Sequence, residues 1–410
     1  MAQDKTLVGL DIGTSWTRCV IGTISRDGQL MIESISERPS EGMKSGTIVN
    51  IEQTLKVINS VVSDAELQAG TEVSSVILGI GGDHIKGIQS SGVVGIQSRD
   101  QEIKREDIRR SIDVARARDL PQDTEILHTL VQDFQVDSRA GIKDPIDMLG
   151  HRLDTRVLLV TGSSSICQNL RKCVQKAGLQ VQRIVLQTLS DSEVVLGGDE
   201  KEMGALVIDI GAGMTNAIAY VGGAPVYAGA IPLGGDNVTG DIAYMLQLPR
   251  SAAESIKIAD GCCHTPSVRD DEMIVTPAVG GKPSIRLPRK ELAKLIEPRM
   301  AEIFSMLSAE LEKNGVSGTF GAGVVLVGGG ALLSGATELA AEIFRMPARI
   351  GFPEAINGLD RLYIDPRYST VLGLLKLEAK KYKEASSMQG SSKEKNGIGA
   401  KVKGLFEKLF

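Results

Sequence analysis

The sequence predicts an α/β fold of two lobes that arose by duplication of one unit. The stretch LVGLDIGTSWTRCV begins at Leu7, LVIDIGAGMTNAIAY begins at Leu206, and the two align without a gap. In each, an apolar run ends in Asp-Ile-Gly and a second apolar run follows, which indicates strand, tight turn and strand. A third stretch, AGVVLVGGGALLSG from Ala322, predicts a strand, a glycine turn and a helix. Similarity at so long an interval favours a duplicated domain over a solenoid, whose repeats are short and serial.

Each predicted hairpin carries an aspartate where its first strand ends, Asp11 in the first and Asp209 in the second. A carboxylate at the end of a buried strand is costly unless something balances its charge. Backbone amides at two facing turns would form a two-sided phosphate site, and the two carboxylates would share one hydrated Mg²⁺. The alternative is a pair of unrelated glycine turns in which the aspartates only cap backbone amides.

The composition is that of an ordinary soluble globular protein of two or more domains. The chain has 410 residues and a formal net charge of -5, which gives no reason to expect a nucleic acid partner. Its five cysteines lack the spacing of metal ligands or of a disulfide framework, so we expect reduced thiols in a cytosol. We see no secretory signal and no apolar run of the ~18 residues that a membrane span needs.

The remaining pattern places two inserts between the repeated units. An α+β insert is expected at 83–160, where half-exposed strands surround a charged amphipathic helix at 105–120. A second insert is expected at 235–305, with two helices at 239–260 and 289–312.

The end of the chain changes character twice. Residues 379–396 are polar and low in complexity, which is typical of a flexible linker. In 397–410 apolar spacing returns, and on a helix the apolar side chains fall within an arc of about 140°. Fourteen residues cannot span a bilayer, so this helix should lie in the membrane interface; the alternative is docking onto the protein's own core. The apolar positions are Ile398, Val402, Leu405, Phe406, Leu409 and Phe410.

The order of two Asp-Ile-Gly hairpins followed by Gly328-Gly329-Gly330 resembles the actin, sugar-kinase and heat-shock-chaperone superfamily, whose fold is actin-like (ribonuclease H-like). Within it the chain resembles the FtsA family of bacterial cell-division proteins over nearly its whole length. The stretches that carry this resemblance are LDIGTS, GIKDPIDMLGHRL, GGDNVTGDIAYML, AAESIKIADGC, IEPRMAEIF, VLVGGGALLSG and RYSTVLGLL.

The resemblance implies a division into subdomains, a linker and a terminal helix. These are 1A at 1–82 and 161–204 with 366–378, 1C at 83–160, 2A at 205–234 and 306–365, 2B at 235–305, the linker at 379–396 and a membrane-targeting helix at 397–410.

The resemblance also implies an ATP site in the cleft between the lobes. Asp11 and Asp209 would hold Mg²⁺ through water, and Gln187 would orient the attacking water. Glu254 and Lys257 would reach the ribose and base, while the triple glycine would let the adenine lie against backbone. The other nucleotide-binding residues implied are Gly13, Thr14, Ser15, Arg18, Gly211, Gly213, Met214, Thr215 and Gly235. Hydrolysis would be weak or slow at most.

FtsA-like proteins polymerise on the cytoplasmic face of the inner membrane at the division site, tether the FtsZ ring and recruit later division proteins. The FtsZ C-terminal peptide would dock on the 2B region, where Arg289 and Arg299 could face an acidic peptide or simply lie on a solvated helix face. Two alternatives share the fold. A small-molecule kinase would need a further Asp as general base, and the scaffold of a pilus-assembly machine would lack the terminal amphipathic helix.

Overall fold

A computed structural model describes residues 5–25, 27–278, 283–316, 318 and 320–391, with only the backbone of 384–391. The terminal helix predicted at 397–410 lies outside the described residues. The first half of the chain alternates short strands with helices. In chain order its elements are β1 (Lys5–Ile12), β2 (Trp16–Ile24), β3 (Leu30–Pro39), β4 (Met43–Lys44), β5 (Thr47–Ile48), α1 (Ile51–Ala69), β6 (Ser75–Ile80), β7 (Lys86–Gly95), α2 (Arg105–Arg116), β8 (Thr124–Val136), β9 (Arg139–Ile142), β10 (Arg152–Ser163), α3 (Ser164–Lys176), β11 (Gln180–Leu186), α4 (Gln187–Val195) and α5 (Gly198–Met203).

The second half begins with the repeated hairpin and ends with a long helix that returns to the first lobe. Its elements are β12 (Ala205–Ile210), β13 (Thr215–Val221), β14 (Ala224–Ile231), α6 (Gly235–Leu246), α7 (Arg250–Asp260), β15 (Met273–Val275), β16 (Arg286–Pro288), α8 (Arg289–Lys313), β17 (Val324–Val327), α9 (Ala336–Phe344), β18 (Ala348–Ile350) and α10 (Ser369–Ser391).

Two large sheets organise the lobes. The first lobe has a five-stranded sheet in the order β11-β6-β1-β2-β3. The second lobe contributes β18-β17-β12-β13-β14 to a nine-stranded sheet, which continues into the insert as β7-β10-β8-β9. Only one pair, Gly229 with Lys86, joins β14 to β7. The insert therefore adjoins both lobes, although its chain leaves from and returns to the first.

The two hairpins that predicted the duplication have the same register and the same turn. Asp11 lies opposite Arg18 in the first hairpin, and Asp209 lies opposite Asn216 in the second. The amide of Gly13 donates to the carbonyl of Trp16 at 3.0 Å, and Gly211 makes the equivalent 2.9 Å bond. The prediction of two matching strand–turn–strand units is confirmed.

Helix α10 packs against both α4 and the first sheet. A Cβ on Gly373 would lie 2.0 Å from the carbonyl oxygen of Ser190, so the two helices touch through their backbones. A Cβ on Gly9 would lie 2.8 Å from the side-chain carbon Leu375 Cδ1 and 3.1 Å from the carbonyl oxygen of Val371, so α10 also packs closely on β1. This close packing fixes α4, the helix that begins at Gln187, relative to the strand that carries Asp11.

The structure differs from the sequence prediction at two helices. The helix predicted at 239–260 is broken into α6 and α7, because Gln247 adopts a left-handed φ of 50° and Pro249 follows it. Helix α10 extends to Ser391 and so covers the first part of the predicted linker, 379–396. The apolar face continues into that stretch, since Ala379 is buried and Tyr382 packs against the core of the first lobe.

Within the described residues, no helix is both long and apolar enough to cross a bilayer.

Candidate functional site

The two lobes enclose a cavity of about 420 Å³, within the range of small-molecule sites. Both Asp-Ile-Gly turns, the start of α4, the α6–α7 pair and the triple glycine reach it. The predicted site residues that line it are Asp11, Gly13, Thr14, Ser15, Arg18, Gln187, Asp209, Gly211, Gly213, Met214, Gly235, Glu254, Lys257, Gly328, Gly329 and Gly330.

The tips of the two hairpins meet at the floor of this cleft. A Cβ on Gly213 would lie 2.9 Å from Thr14 Oγ1 and 3.0 Å from Ser45 Cα, so only glycine lets the tips approach this closely. The Thr14 hydroxyl accepts from the Gly46 amide at 3.0 Å, which holds the first tip in place. The amides of both turns are thereby gathered at one end of the cavity, where they could bind phosphate.

Asp11 is a buried carboxylate supported by an amide side chain. Gln187 Nε2 donates to Asp11 Oδ1 at 2.6 Å, which joins the start of α4 to the end of β1. Burial raises the pKa of Asp11, while the bond from Gln187 and the charge of Arg18 oppose this rise. Without a cation the ionised form of Asp11 is therefore destabilised.

Asp209 is supported in the same way from the second hairpin. Asn216 Nδ2 donates to Asp209 Oδ2 at 3.3 Å, and Asn216 Oδ1 accepts from the Gly82 amide at 2.9 Å. Asn216 thus connects the second lobe to the point where the chain enters the insert. Burial and the neighbouring Asp11 raise the pKa of Asp209 to about 6.

The donor set fits a hydrated magnesium ion. Two carboxylates with raised pKa values and phosphate-binding amides suit Mg²⁺, which keeps several waters and takes one or two protein carboxylates. Among the described residues, no three His, Cys, Asp or Glu side chains converge to ligate a metal directly. Asp11 and Asp209 could therefore hold Mg²⁺ only with water or phosphate completing its coordination.

A lysine-centred network forms the wall of the cleft on the α6–α7 side. Lys257 Nζ lies 2.7 Å from Glu254 Oε2 and donates to the carbonyl of Gly235 at 3.0 Å. It also donates to Thr239 Oγ1 at 2.9 Å, and that hydroxyl bonds to Glu254 as well. The network holds one cation and one carboxylate at the cavity surface, both able to bond to a polar ligand.

The triple glycine forms a close-packed backbone surface opposite that wall. A Cβ on Gly330 would lie 2.3 Å from Ile210 Cγ2, and one on Gly328 would lie 2.3 Å from Asp209 Oδ1. Gly328 also has a left-handed φ of 80°. These positions require glycine, and they leave flat backbone exposed where a planar group could lie.

Three of the predicted site residues, Thr215, Arg289 and Arg299, differ from expectation. Thr215 does not line the cleft: it is buried and its hydroxyl donates to the carbonyl of Leu233 at 2.9 Å, so that hydroxyl is not free for phosphate. Arg289 does line the cleft, and its guanidinium pairs with Glu272 at 2.6 Å.

Arg299 lies on the same helix as Arg289 but is fixed elsewhere. Its Nε contacts Asp241 Oδ2 at 2.7 Å, and the guanidinium also pairs with Glu302. Neither Arg289 nor Arg299 is a free cation on a solvated face.

Sequence reasoning missed one buried carboxyl near the aspartates. Asp191 lies one turn after Gln187 on α4, and Thr370 Oγ1 donates to its Oδ1 at 2.8 Å. Burial and the charge of Asp209 raise the pKa of Asp191 well above its usual value. Its place in an ordinary helical pattern gives no signal, because its partner Thr370 is 179 residues away.

A family model described as cell division protein FtsA matches residues 206–373, and one described as SHS2 domain inserted in FtsA matches 82–161. The cell division protein FtsA of Borreliella burgdorferi is 42% identical over 98% of each chain. The chain belongs to the FtsA family. The FtsA proteins of Pseudomonas aeruginosa (41% identity, 94% of this chain and 92% of that one) and Escherichia coli K12 (34%, 99% and 96%) agree.

Solved structures of other proteins share the actin-like fold of this chain. The PilM-PilN type IV pilus biogenesis complex aligns with a TM-score of 0.63 at 17% identity, covering 91% of this chain and 98% of that one. MreB5 of Spiroplasma citri bound to ADP aligns with a TM-score of 0.57 at 14% identity, covering 93% and 98%. The predicted actin-like fold with an α+β insert is confirmed, and the insert is an SHS2 domain.

Proposed function

We propose that this cell-division protein binds ATP as its magnesium complex in the cleft. The observation that carries the proposal is that two matching Asp-Ile-Gly turns, each with one carboxylate, meet at the floor of a cavity of about 420 Å³. The turn amides suit the phosphates, and Mg²⁺ would relieve the repulsion between Asp11 and Asp209. That a solved MreB of the same fold is bound to ADP supports a nucleotide over other anions.

The roles of the remaining side chains follow from their places around the cavity. Lys257 and Glu254 would bind the ribose and base, and the adenine would lie on the backbone of Gly328 to Gly330. Gln187 would orient water near the phosphates, with its amide already bonded to Asp11. We expect hydrolysis to be slow, because the side-chain amide of Gln187 is neutral and cannot itself take a proton from the attacking water.

We further propose that the protein acts as a membrane tether and polymer in division. It would self-associate on the cytoplasmic face of the inner membrane, bind lipid through residues 397–410, hold the FtsZ C-terminal peptide near α8 and recruit later divisome proteins. Membership of the FtsA family supports this assignment over a small-molecule kinase or a pilus scaffold. One terminal helix would bind weakly and reversibly, so polymerisation would strengthen attachment by multivalency.

Calorimetric titration with ATP tests the proposed nucleotide site. Asp209→Ala should weaken ATP binding in Mg²⁺ by ~1–3 kcal/mol, the scale of removing a charged hydrogen-bonding group. The matched control is Asp113→Ala, which removes an exposed aspartate on α2 of the insert and should bind ATP like the parent. Equal affinity in Asp209→Ala and the parent would contradict the two-carboxylate site.

A further inference from the structure

His128 joins the SHS2 insert to Leu186, the residue that directly precedes α4. It lies on β8, within the insert, and is 2% exposed. The backbone amide of Leu186 donates to its Nε2 at 3.0 Å. Leu186 ends β11, which is an edge strand of the first sheet, and it is the N-cap residue of α4. A side chain of the insert therefore accepts a hydrogen bond from a backbone amide at the edge of the first sheet.

The protonation state of His128 is determined by this contact. Because the Leu186 amide is the donor, Nε2 must carry the lone pair, and the single ring proton is on Nδ1. Burial, with Lys381 and Arg183 nearby, lowers the pKa of His128 to about 3, so the ring stays neutral at physiological pH. Nδ1 is buried and has no hydrogen-bond partner among the described residues. The unpaired N–H at Nδ1 destabilises the buried ring. The bond that Nε2 accepts offsets part of this cost and so helps to keep the ring in this position.

The hydrogen bond lies next to Gln187, which contacts the carboxylate of Asp11. Gln187 follows Leu186 directly, begins α4 and donates to Asp11 at 2.6 Å. In the part of the chain that the structure describes, the N-cap residue of α4 is a leucine and makes no side-chain capping bond. The position of the first turn of α4 depends on packing against α10, on the pairing of Leu186 with Ile80 of β6 and on the bond from Leu186 to His128. A shift of Leu186 would move Gln187 relative to Asp11.

We propose that His128 is a positioning residue through which the SHS2 insert sets the orientation of Gln187 at the magnesium–nucleotide site. The inference rests on the proposed ATP–Mg²⁺ function of the cleft. A partner or a second copy of the chain that moves the insert would thereby alter the response of the cleft to Mg²⁺, and nucleotide binding would alter the insert in return.

The test measures ATP affinity by calorimetry in Mg²⁺ and in EDTA, using the full chain. The ratio of the two affinities reports the Asp11–Gln187 side of the site, whereas a change in general stability alters melting temperature without altering this ratio. His128→Leu should lower the ratio by about three- to tenfold, as expected for one lost hydrogen bond to a buried amide. His128→Gln, whose amide oxygen can accept near the former Nε2, should restore it. His151→Leu, at an exposed histidine of the same insert, is the control.

A double-mutant cycle with Gln187→Ala tests the route. If His128 acts through Gln187, His128→Leu should have no further effect on the ratio in the Gln187→Ala background. Additive losses, or a parent-like ratio in His128→Leu, would overturn the inference while leaving the proposed function intact. A parent chain that binds no ATP in Mg²⁺ would refute the proposed function and, with it, the inference.

If His128→Leu fails to fold, hydrogen–deuterium exchange on the parent chain tests the coupling between the insert and the cleft instead. Addition of ATP and Mg²⁺ should slow exchange in peptides that contain the Leu186 amide and in those from β8. Unchanged exchange in both regions, with nucleotide bound, would refute the coupling.

Discussion

Asp209→Asn should stabilise the protein without metal, and more so at higher pH. In the folded chain the pKa of Asp209 is raised to about 6 from an unfolded value of 3.8. The folded state therefore binds the proton more tightly than the unfolded state, and ionisation destabilises the fold as pH rises through this interval. The contribution of a neutral Asp209 to stability is present below about pH 4 and is lost by about pH 6 to 7.

The magnitude follows from the two pKa values. At pH 7.5 the ionised carboxylate costs at most about 3 kcal/mol, and at pH 5 at most about 2 kcal/mol. These are upper values, because the carboxylate faces the cleft and is only partly removed from water. The asparagine retains an oxygen that can accept from Asn216 Nδ2, so the change removes the charge and keeps the bond.

Urea denaturation in EDTA at pH 5.0 and pH 7.5 measures the effect. The free energy of unfolding of Asp209→Asn minus that of the parent should grow by up to about 1 kcal/mol between the two pH values. Asp113→Asn, on the exposed face of α2, is the control and should show no such growth. If this difference in free energy of unfolding is the same at both pH values, or shrinks as pH rises, the ionised carboxylate of Asp209 does not destabilise the fold. Saturating ATP and Mg²⁺ should shrink the stability advantage of the variant, since the parent binds the nucleotide more tightly and gains more binding energy.

Two further outcomes concern the partners. Phe406→Glu places a charge within the apolar stripe of the terminal helix, so in liposome sedimentation the protein should move to the supernatant while ATP binding and circular dichroism stay as in the parent; a variant that still pellets would contradict the tether. Arg299→Gln should weaken binding of the FtsZ C-terminal peptide several-fold in fluorescence anisotropy and leave ATP affinity unchanged, whereas Arg289→Gln should alter both because Arg289 lines the cleft. Unchanged peptide affinity in both variants would mean that these arginines serve only their intramolecular ion pairs.

The sequence alone determined the parts of the site that depend on neighbouring residues. Each Asp-Ile-Gly turn closes by a backbone bond between residues three apart, so its shape follows from the local pattern and appears twice. The triple glycine after an apolar strand was equally visible. The helical pattern over 239–260 predicts a single helix, but Pro249, which is visible in the sequence, separates α6 from α7.

Only the tertiary structure decided which side chains support the aspartates. Gln187 reaches Asp11 across 176 residues, Asn216 reaches Gly82 across 134, and His128 meets Leu186 across 58. Each of these side chains lies in an ordinary strand or helix pattern, and nothing nearby in sequence indicates its partner. Likewise, the ion pairs that occupy Arg289 and Arg299 depend on how α8 packs against its neighbours. A short-range turn is determined by the allowed backbone angles of a few residues, whereas a contact between distant segments exists only after the lobes and the insert have packed together.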